Sequence, residues 1–465
     1  RQAMRFLGRQ FVLGETIEDA LERARGYEKK GYRHSYDMLG EGARTKRDAE
    51  RYFKSYADAI EAIGRKAGNK ALPDRPGISV KLSALHPRYH PTHRETVMRE
   101  LVPLVADLVR RAKSYDLNFT IDAEEAERLE LSIDVIDAVV RSVEFEGWTG
   151  FGLAIQAYGK RVVPLIRHLD ALAEDAGIRM MVRLVKGAYW DSEIKQAQEK
   201  GSNGFPVHTV KPATDLSYVV AAGELLQRRE RLYPQFATHN ALTVANILEM
   251  AGPDKSGFEF QRLHGMGESL YEALREDTKG EIACRIYAPV GGYSDLLAYL
   301  VRRLLENGAN SSFVAKVGDV KVPVDELLVQ PRDLLERGRV SHSGVAKPTE
   351  LFGVRRNSRG TEFGDRKALS ALLRSRDRAG QDGFTADPTS GFAAATAIEI
   401  RSPVDGAVVG HSRFLTVAGA QALMDQAKSH VRAAEAVSAE TRAARLRRAA
   451  DLMEEREGQL LALLT

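Results

Sequence analysis

Polar side chains punctuate the middle of this sequence at intervals: Lys81, Asp122, Gln156, Arg183 with Lys186, Thr209, Thr238 with His239, Gln261 and Tyr287, each near the close of a short apolar run. Any one could be a satisfied interior group, but eight such runs ending alike point to side chains converging on one place. The set is rich in cations and amides and poor in nucleophiles, which suits an anionic or large polar ligand. "VKGAYW", from Val185, adds a lysine, a glycine and two rings able to stack. A second signal is "LLAYLVRRLLENGAN", residues 296–310, an apolar helix with adjacent arginines at Arg302 and Arg303. Neighbouring helical side chains point about 100° apart, so both are served only where the helix lies over something that attracts positive charge. The competing reading is a solvated edge with Arg302 paired to Glu306.

Other chemistries recede. "HPRYHPTH" groups three histidines, but no second cluster of His, Cys or carboxylate completes a metal set, so no metal is expected. No G-x-S-x-G elbow is present, and the single cysteine, Cys284, opens its apolar run instead of ending it.

The elements that must position these residues are short apolar runs alternating with longer amphipathic ones. Candidate strands start at "GISVKLSAL" (77), "LNFTIDAEE" (117), "GFGLAIQAY" (150), "MMVRLVKGAY" (180), "PVHTVK" (206), "PQFATHN" (234), "FEFQRLHGM" (258) and "CRIYAPVGG" (284). Eight βα units in series predict a parallel barrel, in which the strand C-termini form the active face. An open doubly wound sheet is the alternative, and it loses ground because no G-x-G-x-x-G follows the first strand. Residues 1–70 have helical spacing throughout, with Thr16 and Thr45 as N-caps. The reading is α/β: a (β/α)8 TIM-like barrel at 71–330 after an N-terminal helical region at 1–70. A linker at 331–395 follows, then a truncated C-terminal α/β segment at 396–465, beginning near "IEIRSPVDGAVVGHSRF" and ending inside a helical pattern.

With 43% hydrophobic and 28% charged residues in 465, the chain is a globular protein and long enough for several domains. A net charge of +4 is too small to argue for nucleic acid, although the pI near 8.9 suits weak attraction to an anionic membrane surface. No apolar run approaches a membrane span, and one cysteine fits a reducing, cytoplasmic compartment.

The motifs "VRLVKGAYWDSEIK", "FATHNALTV", "FEFQRLHGMGE", "CRIYAPVGG" and "LLAYLVRRLLENGANSSFV" together resemble the proline dehydrogenase module of bifunctional proline utilization A, in order, from about residue 30 to 330. The segment from about 396 is similar to the start of an aldehyde dehydrogenase domain. The resemblance implies noncovalently bound FAD at the barrel mouth and hydride transfer from the proline ring carbon next to nitrogen to the flavin N(5), giving pyrroline-5-carboxylate. It implies FAD contacts at Gln156, Arg183, Lys186, Gly187, Ala188, Trp190, Thr209, Thr238, His239, Asn240, Gln261, Ser312 and Phe313, with Arg183 near N(5). It implies a substrate pocket of Lys81, Asp122, Leu263, Tyr287, Tyr299, Arg302 and Arg303, closed by Glu41 pairing with Arg302; Arg183, Asp122 and Lys81 are the catalytic candidates. The sequence departs from the family at Val210, where an arginine is usual, and in "VGGYSDLLAYL".

L-Proline as substrate, a quinone acceptor at the membrane surface with peripheral association, and NAD for the aldehyde dehydrogenase portion alone complete what the resemblance implies. Two other readings compete: a barrel lyase forming a Schiff base on Lys186 or Lys81, and a regulatory or scaffold fragment.

Overall fold

The computed structural model describes residues 10–292, 299–302, 322–380, 384–387 and 391–464. Arg303, Ser312 and Phe313, with Glu306, lie outside the described residues. Two compact units divide between Gly360 and Thr361.

The first unit is a closed barrel of eight parallel strands in sequential order: β1 (Arg33–Met38), β2 (Gly77–Val80), β3 (Asn118–Ile121), β4 (Phe151–Gln156), β5 (Met180–Val185), β6 (Leu232–Ala237), β7 (Glu259–Leu263) and β8 (Cys284–Val290). Seven of the eight expected strands are present. The exception is "PVHTVK", which forms no strand; Val207 makes a single bridge to Gly159. The missing strand is β1, inside the region read as wholly helical. It pairs with β2 (Ser35 beside Gly77) and with β8 (Ser35 beside Tyr287), so it closes the barrel, which therefore begins near residue 33 and not at 71.

The physical reason is an inverted pattern. On β1 the side chains of Arg33, Ser35 and Asp37 point into the barrel, while His34, Tyr36 and Met38 face the surrounding layer. A strand with its polar face inward and aromatic groups outward shows no apolar run. Both flanking helices start where expected: Thr16 accepts the Asp19 N–H to cap Ile17–Lys29, and Thr45 with Asp48 forms a reciprocal capping box on Lys46–Lys66.

Helices including Arg94–Ser114, Leu129–Ser142, Val162–Ala176, Lys211–Leu226 and Ala241–Ala251 bury one stripe each against the outside of the barrel. The main apolar core, with Ile78, Phe119, Phe151, Val182, Phe236, Phe260 and Ile286, lies in that annulus. The barrel interior is polar instead. At its floor Glu259 accepts from Arg285 Nε (2.6 Å) and Arg33 Nη1 (2.6 Å), with Glu259 and Arg285 wholly buried. Burial pushes the Glu259 carboxyl up, but the two guanidiniums outweigh it and hold the group at about 2.

Part of the stretch read as a linker folds against the barrel. The short helix Pro331–Arg337 follows, and Asn357 donates to Gln198 O (2.8 Å) and Pro348 O (3.1 Å). The second unit contains a three-stranded sheet, in the order β10 (Ile398–Arg401), β11 (Val408–Ser412), β9 (Phe384–Ala386), with helices Arg366–Gly380, Val417–Glu435, Ala439–Glu455 and Glu457–Leu464.

Under Ile17–Lys29, His34 is 1% exposed, stacked on Tyr36 and edge-on to Tyr27. Burial, with His264, Arg285 and Arg262 adding to it, depresses the imidazole to about 3. Since the unfolded ring titrates near 6.5, its neutral burial contributes stability fully above about pH 6.5, and that contribution drains as pH falls toward 3, at up to ~1.4 kcal/mol per pH unit. Urea denaturation of the parent at pH 7.5 and pH 5 should show this loss, and His34→Leu should flatten it; an unchanged slope would show that His34 is not the acid-sensitive group.

Candidate active site

Alternation along the strands stacks the inward side chains in tiers. Above the Arg33–Glu259–Arg285 floor come Ser35, Ser79, Arg183 and Gln261; above these, at the C-terminal mouth, come Asp37, Lys81, Asp122 and Tyr287. Gln261 Nε2 donates to Glu259 (3.0 Å) and its Oε1 accepts from Arg183 Nε (2.7 Å), so the amide ties floor to site.

Arg183, 3% exposed, has its donors directed onto four partners. Nη1 donates to Asp122 Oδ1 (2.7 Å), Nη2 to the hydroxyls of Ser35 (3.1 Å) and Ser79 (3.0 Å), and Nε to Gln261; the guanidinium lies 5.0 Å from the Tyr287 ring centre. Lys81 Nζ donates to Asp37 Oδ1 (2.8 Å) and Asp122 Oδ2 (3.1 Å), and the Tyr287 hydroxyl donates to the same Asp122 oxygen (2.7 Å). Two buried cations thus face two buried carboxylates, which leaves the cluster neutral as a whole.

The carboxyls are not equivalent. Burial and the nearby Asp122 push Asp37 up despite Lys81. Asp122 feels the same burial, but Lys81, Arg183 and Tyr287 outweigh it and hold it below the usual carboxylate range. For Lys81, burial pulls the ammonium down while Asp37, Tyr287 and Asp122 more than restore it, so it stays well above its ordinary value.

Above this tier opens a cavity of about 500 Å³, lined by Lys81, Asp122, Gln156, Arg183, Lys186, Gly187, Ala188, Trp190, Thr238, His239, Asn240, Gln261, Leu263, Tyr287, Tyr299 and Arg302. These were expected to meet at one site, and they do. The Gln156 side chain accepts from Ala188 N (3.3 Å) and donates to Glu124 O (2.7 Å); Trp190 Nε1 donates to His208 O (2.9 Å). His239 Nε2 accepts the Leu263 N–H (3.1 Å), which places the proton of the neutral ring on Nδ1. Gly187 has φ +138°, and a Cβ there would lie 2.5 Å from the Tyr158 ring, so no larger residue fits between the cavity wall and that ring.

Glu41 holds Arg302 through a bidentate pair, Nη1 to Oε1 at 2.8 Å and Nη2 to Oε2 at 3.1 Å, with the guanidinium 5.4 Å from the Tyr189 ring centre. Burial pushes the Glu41 carboxyl up, and the hydrogen bonds and charge of Arg302 reverse the shift downward. The expected Glu41–Arg302 contact therefore exists, whereas the alternative partner, Glu306, lies outside the described residues.

Thr209 stands apart from these residues. It does not line the cavity; it follows the non-strand segment, and its hydroxyl accepts the His342 N–H (3.2 Å). Two of the three histidines of "HPRYHPTH" take part in local turns: His86 Nδ1 accepts from Arg88 N and His90 Nδ1 from Thr92 N, while His90 Nε2 also lies 3.2 Å from Glu127 Oε1. Asp37, Tyr189 and Lys211 line the cavity without having been singled out. The alternation in "RHSYDM" could have revealed Asp37, and "KGAYW" contains Tyr189, counted only as a ring.

A cavity at the C-terminal mouth of a (β/α)8 barrel, walled by cations, amides and rings, defines a barrel enzyme that takes a large polar ligand. The chain belongs to the proline dehydrogenase family, oxidoreductases acting on proline: the family model "Proline dehydrogenase" matches residues 20–316, and the "Aldehyde dehydrogenase family" model matches 392–465. Proline dehydrogenase 1 of Bacillus subtilis is 30% identical over 66% of the chain and 89% of its own length. The bifunctional protein PutA of Salmonella typhimurium is 45% identical over 99% of this chain, which spans 36% of that relative's length. A crystal structure of a Bradyrhizobium japonicum proline utilization A variant superimposes with a TM-score of 0.84 at 54% identity, covering 100% of this chain and 44% of that one.

Removing one partner from the buried cluster should be costly. Asp122→Ala would leave Lys81 and Arg183 short of a counter-charge, and an expected loss of about 3–5 kcal/mol follows. Chemical denaturation against the parent measures it, and equal midpoints would show that the pairs carry no stability.

Proposed function

We propose that the barrel oxidises L-proline to pyrroline-5-carboxylate with FAD as the hydride acceptor. The observation that carries the reading is the juxtaposition, in one cavity, of the polar tier at the barrel mouth with Arg302, held over that mouth by Glu41.

The donor set fits a flavin dinucleotide: a cavity of about 500 Å³, amides at Gln156, Asn240 and Gln261, rings at Tyr189, Trp190 and Tyr287, and cations at Arg183 and Lys186. When bound, FAD supplies a two-electron acceptor. Gln156, Arg183, Lys186, Gly187, Ala188, Trp190, Thr238, His239, Asn240 and Gln261 would hold it. Arg183 is fixed by four partners and offers a cation that needs no reorganisation when negative charge develops beside it.

Proline presents one carboxylate as its handle. Arg302 is the described cation placed to receive it, with Tyr299 one turn earlier and Leu263 and Tyr287 walling the ring. A substrate fixed at one end can present a single ring face, which is the orientation hydride transfer requires. The Glu41 pair holds Arg302 across the opening and so helps to exclude water. Electron delivery to a membrane quinone belongs to the same proposal, in keeping with a pI near 8.9; among the described residues no helix is long and apolar enough to cross a membrane.

The Schiff-base reading is disfavoured by the same geometry. Lys81 stays protonated between two carboxylates, and Lys186 is ion-paired with Asp215.

The purified chain should be yellow, and anaerobic L-proline should bleach its flavin absorbance; a colourless protein that takes up no FAD would defeat the proposal. Arg302→Met should lower kcat/KM for proline roughly 10- to 150-fold, the range of one charge-assisted hydrogen bond, with flavin content unchanged. Glu41→Ala should act in the same direction, and kinetics equal to the parent would show that the pair does not close the site.

A further inference from the structure

Glu41 and Arg302 meet at the cavity mouth, and each follows an apolar residue by two positions: Leu39 precedes Glu41 and Leu300 precedes Arg302. Both apolar residues belong to one small cluster, separate from the main core, in which Phe11, Val12, Met266, Tyr299 and Leu300 are buried and Leu39, Leu263 and Tyr287 pack against them. Three members, Leu263, Tyr287 and Tyr299, also line the cavity. Phe11 and Val12 do not. At 3% and 6% exposed, they fill the space behind that wall, where both halves of the closing pair are rooted.

The segment that carries these two residues precedes every strand of the barrel, yet it is tied to the barrel by backbone bonds. Leu13 N–H donates to Pro289 O (2.9 Å), Gly291 N–H donates to Gly14 O (3.0 Å), and Gly14 forms a parallel bridge with Val290, so the segment runs beside the end of β8. Leu39 N–H donates to Val290 O (2.8 Å), which starts the connection to Glu41 from the same place. Arg23 Nη1, from the helix Ile17–Lys29, donates to Leu13 O (3.2 Å). In the turn after β7, Gly265 has φ +76°, and a Cβ there would collide with Gln10 O, so that turn closes directly on the segment. Interiors are close-packed, and a volume removed behind one side chain is felt by its neighbours. We propose that Phe11 and Val12 are positioning residues for closure over the substrate: they fix where Glu41 and Arg302 meet. The proposal rests on the proline reading above and extends the site to a segment outside the barrel.

Steady-state kinetics and FAD titration of the full chain test it. Phe11→Ala should raise KM for L-proline about 10- to 100-fold, the range of a small displacement transmitted to a binding group, with kcat and FAD affinity near the parent values. Cyclopentanecarboxylate, a ring acid that cannot be oxidised at nitrogen, should weaken as a competitive inhibitor by the same factor. Phe11→Leu, which refills most of the space, should restore most of the loss, and Val12→Ala should act in the same direction as Phe11→Ala but less. In a double-mutant cycle, Phe11→Ala with Glu41→Ala should cost clearly less than the product of the two separate factors, because no pair is left to position. The proposal is overturned if the factors multiply, if Phe11→Ala kinetics match the parent, or if FAD affinity falls in step with proline affinity, which would mean general damage. Should Phe11→Ala not fold, Val12→Ala and Phe11→Leu run through the same cycle with the same criteria. A parent chain that binds FAD but leaves it oxidised under anaerobic L-proline would instead defeat the proline reading, and that is seen before any variant is made.

Discussion

The structure depends on charge buried inside a parallel barrel. Such barrels are ordinarily filled by branched apolar side chains, and here the main apolar core lies in the annulus between strands and helices. The interior is held by Arg33, Glu259 and Arg285 at the floor and by Arg183, Lys81, Asp122 and Asp37 toward the mouth. An unpaired ion in this setting costs several kcal/mol, so each must find its partner on another strand. Arg183 alone reaches β1, β2, β3 and β7. The interactions that preorganise the site are therefore also the ones that specify strand register: a slip of one residue would turn every charged side chain toward the apolar annulus.

That constraint links stability to chemistry. A cation fixed by four acceptors cannot relax toward a ligand, and it need not, because it already points where charge would develop. The outer parts of the site are built differently. Arg302 pairs with a half-buried carboxylate from the β1–helix connection, and Lys186 and Lys211 share a carboxylate at the rim. These pairs keep partial access to solvent, so they can exchange a protein partner for a ligand at lower cost than the inner tier could.

The likeness to known proteins follows the same division. The proline dehydrogenase model covers the barrel, where inner tier and cavity lie. The aldehyde dehydrogenase match falls in the second unit, whose strands leave Ile398, Ile400, Val408 and Val409 partly exposed.

Seven strands, the helix caps at Thr16 and Thr45, and the polar cavity residues at the strand ends were legible in the sequence alone, because local signals determine them; Ala188, Asn240, Leu263 and Tyr299 were reached only through the family resemblance. Apolar runs ending in a polar residue, N-cap chemistry and the spacing of βα units need no partner to be recognised. What only the tertiary structure decided is pairing. β1 was invisible because its inward face is Arg33, Ser35 and Asp37, a pattern that makes sense only once Glu259 and Lys81 arrive from strands β7 and β2. "PVHTVK" looked like a strand because its composition suits one, yet the ring had no place left for it. Glu41 meeting Arg302 across 261 residues, or Asp215 gathering two lysines, follows from chain segments brought together by barrel closure. Residue type and local period are written along the chain, whereas the compensation of one buried charge by another is a property of the space that the closed barrel encloses.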